Sequence, residues 1–306
     1  MRAAFLGTPA AAIPSLAALI DVADIAVVIT RPDRAKGRSG KPSPPAVKVA
    51  ALEWGLHVEQ PTTREQLEQL LQHAEADIGV VVAYGRILTR TALETTPAGF
   101  VNVHFSLLPR WRGAAPVERA ILAGDETTGV SLMQIDEGLD TGPVIAAVET
   151  PIASDETGGS LSGRLSYLGA MLIDDVVPDL LAGRLDAAPQ LRIGVTAAGL
   201  LTPAEAQIQP TWKVDHAERA VRAFNPRPGA WFGMEENRFR VYEASLSDEP
   251  VTPGVVAPFN GQAVLGLRGG SLTLDVIQPA GKAPMSGTAW LNGRRGAGGR
   301  IDAAAE

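Results

Sequence analysis

The sequence predicts an α/β domain built on a mostly parallel sheet, followed by a smaller all-β domain. Three observations predict it. Short apolar runs alternate with helix-period segments through the first half, periodicity fades after Ala182, and short strands broken by Pro and Gly follow. A chain of 306 residues, 45% hydrophobic and 20% charged, suits two domains of ordinary size better than one core.

Residues 3–7 read as a buried strand, Gly7-Thr8-Pro9 as a tight exit, and Ile13, Leu16, Leu19 and Ile20 as the apolar stripe of a helix. The exit lacks the three-glycine pattern of a dinucleotide site, so no nicotinamide cofactor is expected. A second strand spans 25–30, a loop broken by Pro and Gly spans 31–45, and a helix carries Val47, Ala50, Ala51 and Trp54. A helix near 65–71 and strands at 78–83 and 100–103 continue the alternation, which implies a parallel sheet covered on both faces. Strands at 130–134 and 144–149 form a candidate hairpin, and 161–181 has the length and spacing of a long helix. Residues 1–183 are therefore expected as the first domain, 184–208 as a linker rich in Ala, Gly and Pro, and 209–306 as the second. The second holds a short helix at 216–224 and strands at 238–243, 254–257, 263–267 and 272–277, spaced as in a small barrel or sandwich.

Composition excludes several classes of function. No apolar run approaches the roughly eighteen residues a membrane helix needs, and the first residues lack the apolar core of a secretory signal, so a cytoplasmic protein is expected. Cysteine is absent, which removes disulfides, thiolate nucleophiles and cysteine-bound zinc, and four scattered histidines make no metal cluster. The net charge of −7 argues against nonspecific nucleic-acid binding by the whole surface. From Glu205 onward, however, eleven basic residues balance eleven acidic ones, so the negative charge belongs to the first two thirds. Within that acidic part, Arg31, Arg34, Lys36, Arg38, Lys41 and Lys48 cluster with only Asp33 against them, a local basic patch.

The stretch from Asn102 to Pro116, NVHFSLLPRWRGAAP, begins at the carboxyl end of a parallel strand, where open α/β sheets bind ligands. Strand alternation puts Asn102 and His104 on one side and Val103 on the other. A carboxylate is available in the 136–142 loop, DEGLDTG, whose glycines allow sharp turns beside a ligand. Asn, His and Asp without a Ser or Cys nucleophile suit direct transfer between two substrates. In such a transfer Asn102 and protonated His104 would hydrogen-bond a developing oxyanion, and Asp140 would orient His104 and help move a proton. Taken singly, a strand-end His is more often structural, and an Asp between glycines is usually a turn former.

The compound run Asn102-Val103-His104, Ser106-Leu107-Leu108-Pro109 and Gly113-Ala114 resembles the signature of the 10-formyltetrahydrofolate-dependent formyltransferases. Other segments resemble the branch of that family that formylates methionyl-initiator tRNA. These are Phe5 to Pro9, Arg31-Pro32-Asp33-Arg34 with Gly37-Arg38 and Pro42-Ser43-Pro44, Ala83-Tyr84-Gly85, and Asp136 to Gly142. In the second domain, Arg222 to Pro226 with Pro228-Gly229, and Gln278 to Lys282 with Met285, resemble the same branch, so the likeness runs along nearly the whole chain.

The resemblance implies a Rossmann-like first domain and an OB-like second barrel that helps hold tRNA. It implies 10-formyltetrahydrofolate as donor co-substrate, no metal, and Asn102, His104 and Asp140 as catalytic residues. Ser106, Leu107, Leu108 and Pro109 would bind the reduced folate, and Tyr84, Gly85, Gly138, Leu139 and Thr141 would line the pterin pocket, chiefly through backbone groups. Arg34, Lys36, Arg38 and Lys41 would meet the tRNA acceptor end, and the enzyme is expected to act as a monomer away from membranes. A sugar-amine acceptor and a noncatalytic folate or tRNA binder are the alternatives. The basic loop and Phe224-Asn225-Pro226 argue against the first, and the intact Asn, His and Asp set argues against the second.

Three departures accompany the likeness. Phe105 stands where the family often has a small residue, which adds bulk beside His104. Ile208-Gln209-Pro210 with Trp212 replaces an acidic-aromatic run, and Thr196-Ala197-Ala198-Gly199 replaces a more polar stretch.

Overall fold

Seven strands build the sheet on which the candidate site stands: β1 (Arg2–Gly7), β2 (Asp24–Ile29), β3 (Val58–Glu59), β4 (Ile78–Val82), β5 (Phe100–His104), β6 (Thr127–Gln134) and β7 (Val144–Pro151). Their order is β3-β2-β1-β4-β5-β6-β7. The first five run parallel, and β6 and β7 add an antiparallel hairpin to the β5 edge. This is the doubly wound arrangement, with its reversal of strand order between β1 and β4. The computed structural model describes residues 1–35 and 42–303. Among them no helix is long and apolar enough to cross a membrane.

Local chemistry sets the helices between the strands. α1 (Ile13–Val22) carries Pro14 in its first turn, where the missing N–H costs nothing. α2 (Ala46–Glu53) follows the loop after β2. α3 (Arg64–Ala74) opens on a capping box: Thr63 Oγ1 accepts from the Gln66 N–H at 3.2 Å, and Gln66 Oε1 accepts from the Thr63 N–H at 3.3 Å. Leu67, Leu71 and Ala74 of α3 then bury against Leu6, Ile29 and Phe100 in one core cluster. α4 (Arg90–Leu93) is a single turn, capped by the Thr89 hydroxyl. α5 (Pro116–Ala123) joins β5 to β6 in sequence, and α6 (Gly158–Leu181) follows β7.

Backbone approach dictates one position in the sheet. Gly79 of β4 pairs with Phe100 of β5, and a β-carbon there would lie 2.0 Å from the Phe100 ring. The ring is buried and cannot step aside. Gly79→Ala is therefore expected to destabilise the protein by about 1–3 kcal/mol, read as a lower midpoint in thermal or urea unfolding.

The chain forms two compact units. One comprises Met1–Pro116, Thr127–Pro151 and Ser162–Gly199, the other Val117–Glu126, Ile152–Leu161 and the residues from Leu200 onward. Residues 184–208, expected as a linker, thus divide at Gly199. Their first part returns to the sheet unit, where Ala197–Ala198 pairs in parallel with Arg112–Gly113.

The second unit curls β8 (Trp231–Met234), β9 (Asn237–Ser247), β10 (Val255–Phe259), β11 (Gln262–Leu267), β12 (Gly270–Pro279) and β13 (Gly299–Arg300) into a nearly closed antiparallel barrel, in the order β8-β9-β12-β11-β10-β13. α7 (Val214–Ala223) and α8 (Gly287–Gly293) cover its core. Inside, Phe232 stacks on Phe239 at 5.2 Å and Trp290 meets Phe239 edge-on at 5.4 Å. The sequence reading did not include β3, α4, α5, β8, α8 or β13. All are of eight residues or fewer, and tertiary packing decides their conformation.

Candidate active site

His104 ends β5 at the carboxyl edge of the parallel strands, with its side chain only 5% exposed. Its Nε2 faces the Trp111 carbonyl at 2.9 Å. A carbonyl only accepts, so this contact puts a proton on Nε2 and leaves Nδ1 as the basic nitrogen of the neutral ring. Nδ1 lies 3.7 Å from Asp140 Oδ2. That is too long for a hydrogen bond, although the two atoms face each other.

Two loops bring these groups together. The first runs from His104 to Gly113 and is fastened by its own polar atoms together with Ser131 of β6. Ser106 Oγ donates to the Arg110 carbonyl at 2.6 Å, Ser131 Oγ donates to the Ser106 carbonyl at 2.8 Å, and the Leu108 N–H donates back to Ser131 Oγ at 3.1 Å. Leu107 and Pro109 lie in the same turn, where the Arg110 N–H donates to the Leu107 carbonyl and the Leu108–Pro109 peptide is cis. Trp111 adopts a left-handed conformation with φ of 62°, unusual for a bulky residue. The Thr196 hydroxyl holds it there by accepting from its N–H at 2.8 Å.

The second loop begins after Gln134, which pairs with Val101, three residues before His104. Loop and side chain together must return about 10 Å along the sheet to reach the histidine. Asp140 manages this with φ of 52°, and its Oδ2 accepts from the Gly113 N–H at 2.8 Å. Asp136 shapes the turn, with Oδ1 accepting from the Gly138 N–H at 3.0 Å and from Thr141 Oγ1 at 2.7 Å. A β-carbon at Gly142 would lie 1.9 Å from the Gln134 carbonyl oxygen, so glycine is needed for this close approach. Leu139 stands 62% exposed beside Asp140.

One residue outside the sequence-predicted set ties both loops. Gln190 Nε2 donates to the carbonyls of Asp140 and Gly142 at 2.8 and 2.7 Å. Its Oε1 accepts from Arg112 Nε and Nη2 at 2.9 and 2.7 Å. Nothing local marks Gln190, which lies in an aperiodic stretch 50 residues from Asp140 and 78 from Arg112.

Asn102 is half-buried two residues before His104, and its side chain makes no hydrogen bond among the described residues. The crowding of His104 expected from Phe105 does not occur. A β-carbon at Gly169 of α6 would lie 2.6 Å from Val103 and 3.7 Å from the Phe105 ring, so both side chains turn to the α6 face. Asn102 and His104 occupy the opposite face by alternation. Tyr84 and Gly85 follow β4: the Tyr84 ring is buried, its carbonyl accepts from Thr8 Oγ1 at 3.1 Å, and the Gly85 carbonyl accepts from Arg31 at 2.8 Å. Arg34 is exposed in a two-residue pairing of Arg34–Ala35 with Pro42–Ser43. Lys36, Arg38 and Lys41 lie outside the described residues.

Comparison with known proteins identifies two successive stretches of the chain. A family model described as formyl transferase matches residues 1–177, and one described as formyl transferase, C-terminal domain matches residues 200–295. The methionyl-tRNA formyltransferase of Halorhodospira halophila is 46% identical over 300 residues, covering 96% of each chain. That of Symbiobacterium thermophilum is 42% identical over 301 residues, covering 96% of this chain and 92% of its own. Among solved structures, HypX from Aquifex aeolicus in complex with tetrahydrofolic acid superposes with a TM-score of 0.66 at 14% identity, over 95% of this chain and 47% of that one, a likeness of fold.

Proposed function

This chain belongs to the formyl transferase family, and from that membership we propose that it moves the formyl group of 10-formyltetrahydrofolate to the α-amino group of methionyl-initiator tRNA, giving the formylated tRNA that begins translation. The observation that carries this reading is the 46% identity to a methionyl-tRNA formyltransferase over both units, not over the sheet unit alone. The second unit serves as the tRNA-holding domain in this reading, and Arg34 with Lys36, Arg38 and Lys41 meets the acceptor end. In this reading the enzyme works in the cytoplasm as a monomer.

The donor supplies an activated formyl group, and the residues present fit it. The amide of Asn102 is uncommitted, the 106–110 turn is held rigid by its own hydrogen bonds, and exposed Leu139 offers an apolar surface to a flat ring. An amine becomes an amide only by losing a proton, while the departing nitrogen must gain one. Nδ1 of His104 is placed to take the first and return it to the second. Asp140 stabilises the imidazolium between those steps, and the Trp111 carbonyl keeps the ring from turning away. Asn102 donates a hydrogen bond to the carbonyl oxygen as charge builds on it.

The test is transfer of labelled formyl from 10-formyltetrahydrofolate to methionyl-initiator tRNA, with an amino-sugar nucleotide as competing acceptor. Label in acid-precipitable tRNA is the expected result. Label only in the sugar, or in neither, would overturn the assignment.

A further inference from the structure

Thr196 carries the only polar side chain between Arg192 and Thr202, and it is half-buried. It bonds to three of the four residues from Pro109 to Arg112. Its N–H donates to the Pro109 carbonyl at 3.4 Å, its hydroxyl accepts from the Trp111 N–H at 2.8 Å, and its carbonyl accepts from the Arg112 N–H at 2.9 Å. The backbone part of this grip continues into the parallel pairing of Ala197–Ala198 with Arg112–Gly113, which does not depend on the side chain at 196. The hydroxyl is the part that requires threonine.

Peptide planarity turns these bonds into a constraint on Trp111. The plane before its α-carbon carries the Arg110 carbonyl, which accepts from Ser106 Oγ at 2.6 Å, and the Trp111 N–H, held by Thr196 Oγ1. The plane after it carries the Arg112 N–H, held by the Thr196 carbonyl, and the Trp111 carbonyl, which meets His104 Nε2 at 2.9 Å. Fixing both planes fixes the left-handed φ of 62°, a value that residues other than glycine seldom take. Released from the hydroxyl, the first plane is free to turn back toward negative φ, and the Trp111 carbonyl loses its aim at the ring.

The ring has a second neighbour. Asp140 Oδ2 stands 3.7 Å from Nδ1, and a carboxylate draws an N–H more strongly than a neutral carbonyl does. A neutral imidazole has one proton to place. While the Trp111 carbonyl is held against Nε2, the proton stays there and Nδ1 keeps its lone pair. Without that hold the proton passes to Nδ1, facing Asp140, and the nitrogen that serves as base is blocked.

We propose that Thr196 is a positioning residue for formyl transfer. Its hydroxyl holds Trp111 in the left-handed conformation, keeps the His104 proton on Nε2, and so leaves Nδ1 free to take a proton from the attacking amine. This rests on the role given to His104 in the function proposed above.

The test uses the full chain with isotope-labelled nitrogen in its four histidines, and His104→Gln identifies the resonances of residue 104. The chemical shifts of the two ring nitrogens report which one carries the proton in the neutral ring. The unmodified protein is expected to show a protonated Nε2 and a bare Nδ1, and a proton on Nδ1 would overturn the proposal before any substitution is made. Thr196→Val keeps the shape of the side chain without the hydroxyl, and Thr196→Ser keeps the hydroxyl. The Val variant is expected to move the proton toward Nδ1 and to lower kcat about ten- to a hundredfold, with the tRNA and folate KM values within about twofold. The Ser variant is expected to restore the original tautomer and most of kcat. Thr196→Ala repeats the measurement without a branched side chain, so the result does not rest on the folding of one variant. Unchanged kcat in the folded Val or Ala variant, a fall in kcat with Nε2 still protonated, or a Ser variant as slow as Val would each overturn it. Failure of the tRNA assignment would look different, because the unmodified enzyme would then formylate no tRNA while the His104 nitrogens still reported their tautomer.

Discussion

His104→Ala is expected to lower the rate of formyl transfer on the order of 10³-fold while leaving the affinity for the folate donor nearly unchanged. Positioned proton transfer contributes about 10²–10⁴-fold, and His104 is a titratable side chain with its Nδ1 3.7 Å from the candidate carboxylate of Asp140. Its partner should behave in parallel. Asp140→Asn retains an oxygen to accept from the Gly113 N–H, now at 2.8 Å, so the loop keeps its shape and only the charge is lost. The expected result is a fall in kcat with the donor KM held, because the charge is needed only when the imidazolium forms. Single-turnover transfer measured beside donor binding separates these quantities. A fall in donor affinity with kcat intact would move both residues from proton transfer to binding, and unchanged turnover would remove them from the scheme.

Gln190→Ala is expected to cost between about tenfold and a hundredfold in kcat, although its side chain touches neither His104 nor the Asp140 carboxylate. The reason is positional. One amide fixes the carbonyls of Asp140 and Gly142 on one side and Arg112 on the other, and so sets the spacing of the two loops. A catalytic group displaced by about 1 Å can cost 10²-fold. Gln190→Glu refines the test, because the carboxylate can still accept from Arg112 but cannot donate to the Asp140 and Gly142 carbonyls. If the donations position Asp140, the Glu variant should be as slow as the Ala variant at unchanged tRNA and folate KM. A Glu variant with full activity would show that the bond to Arg112 is the one that counts.

The parts of this site that were legible in the sequence are those governed by neighbours in the chain. Asn102 and His104 share a face because strands alternate with a period of two, and the same rule sends Val103 and Phe105 to α6. The failure to anticipate Phe105 came from weighing its bulk without its direction. Residues 136–142 announced a ligand-side turn through their glycines, and Gly142 does lie where no β-carbon fits. The contact of His104 Nε2 with the Trp111 carbonyl was not legible, because every residue has a backbone carbonyl. Sequence reasoning named Asp140 as the partner of His104, and it does stand on the Nδ1 side of the ring.

The sequence by itself determined the α/β class, the sheet built by alternation, the strand end that holds His104, and, through a compound motif, the family. Each follows from local periodicity or from a contiguous run of residues. Only the tertiary structure decided which polar groups meet: Gln190 with Asp140, Thr196 with Trp111, and Arg31 with Gly85. Hydrogen bonds depend on distances of a few ångströms and on angle, and those are set by how remote segments fold back on the sheet. Residues separated by 50 to 85 positions carry no mutual signal in a single sequence until packing places them side by side.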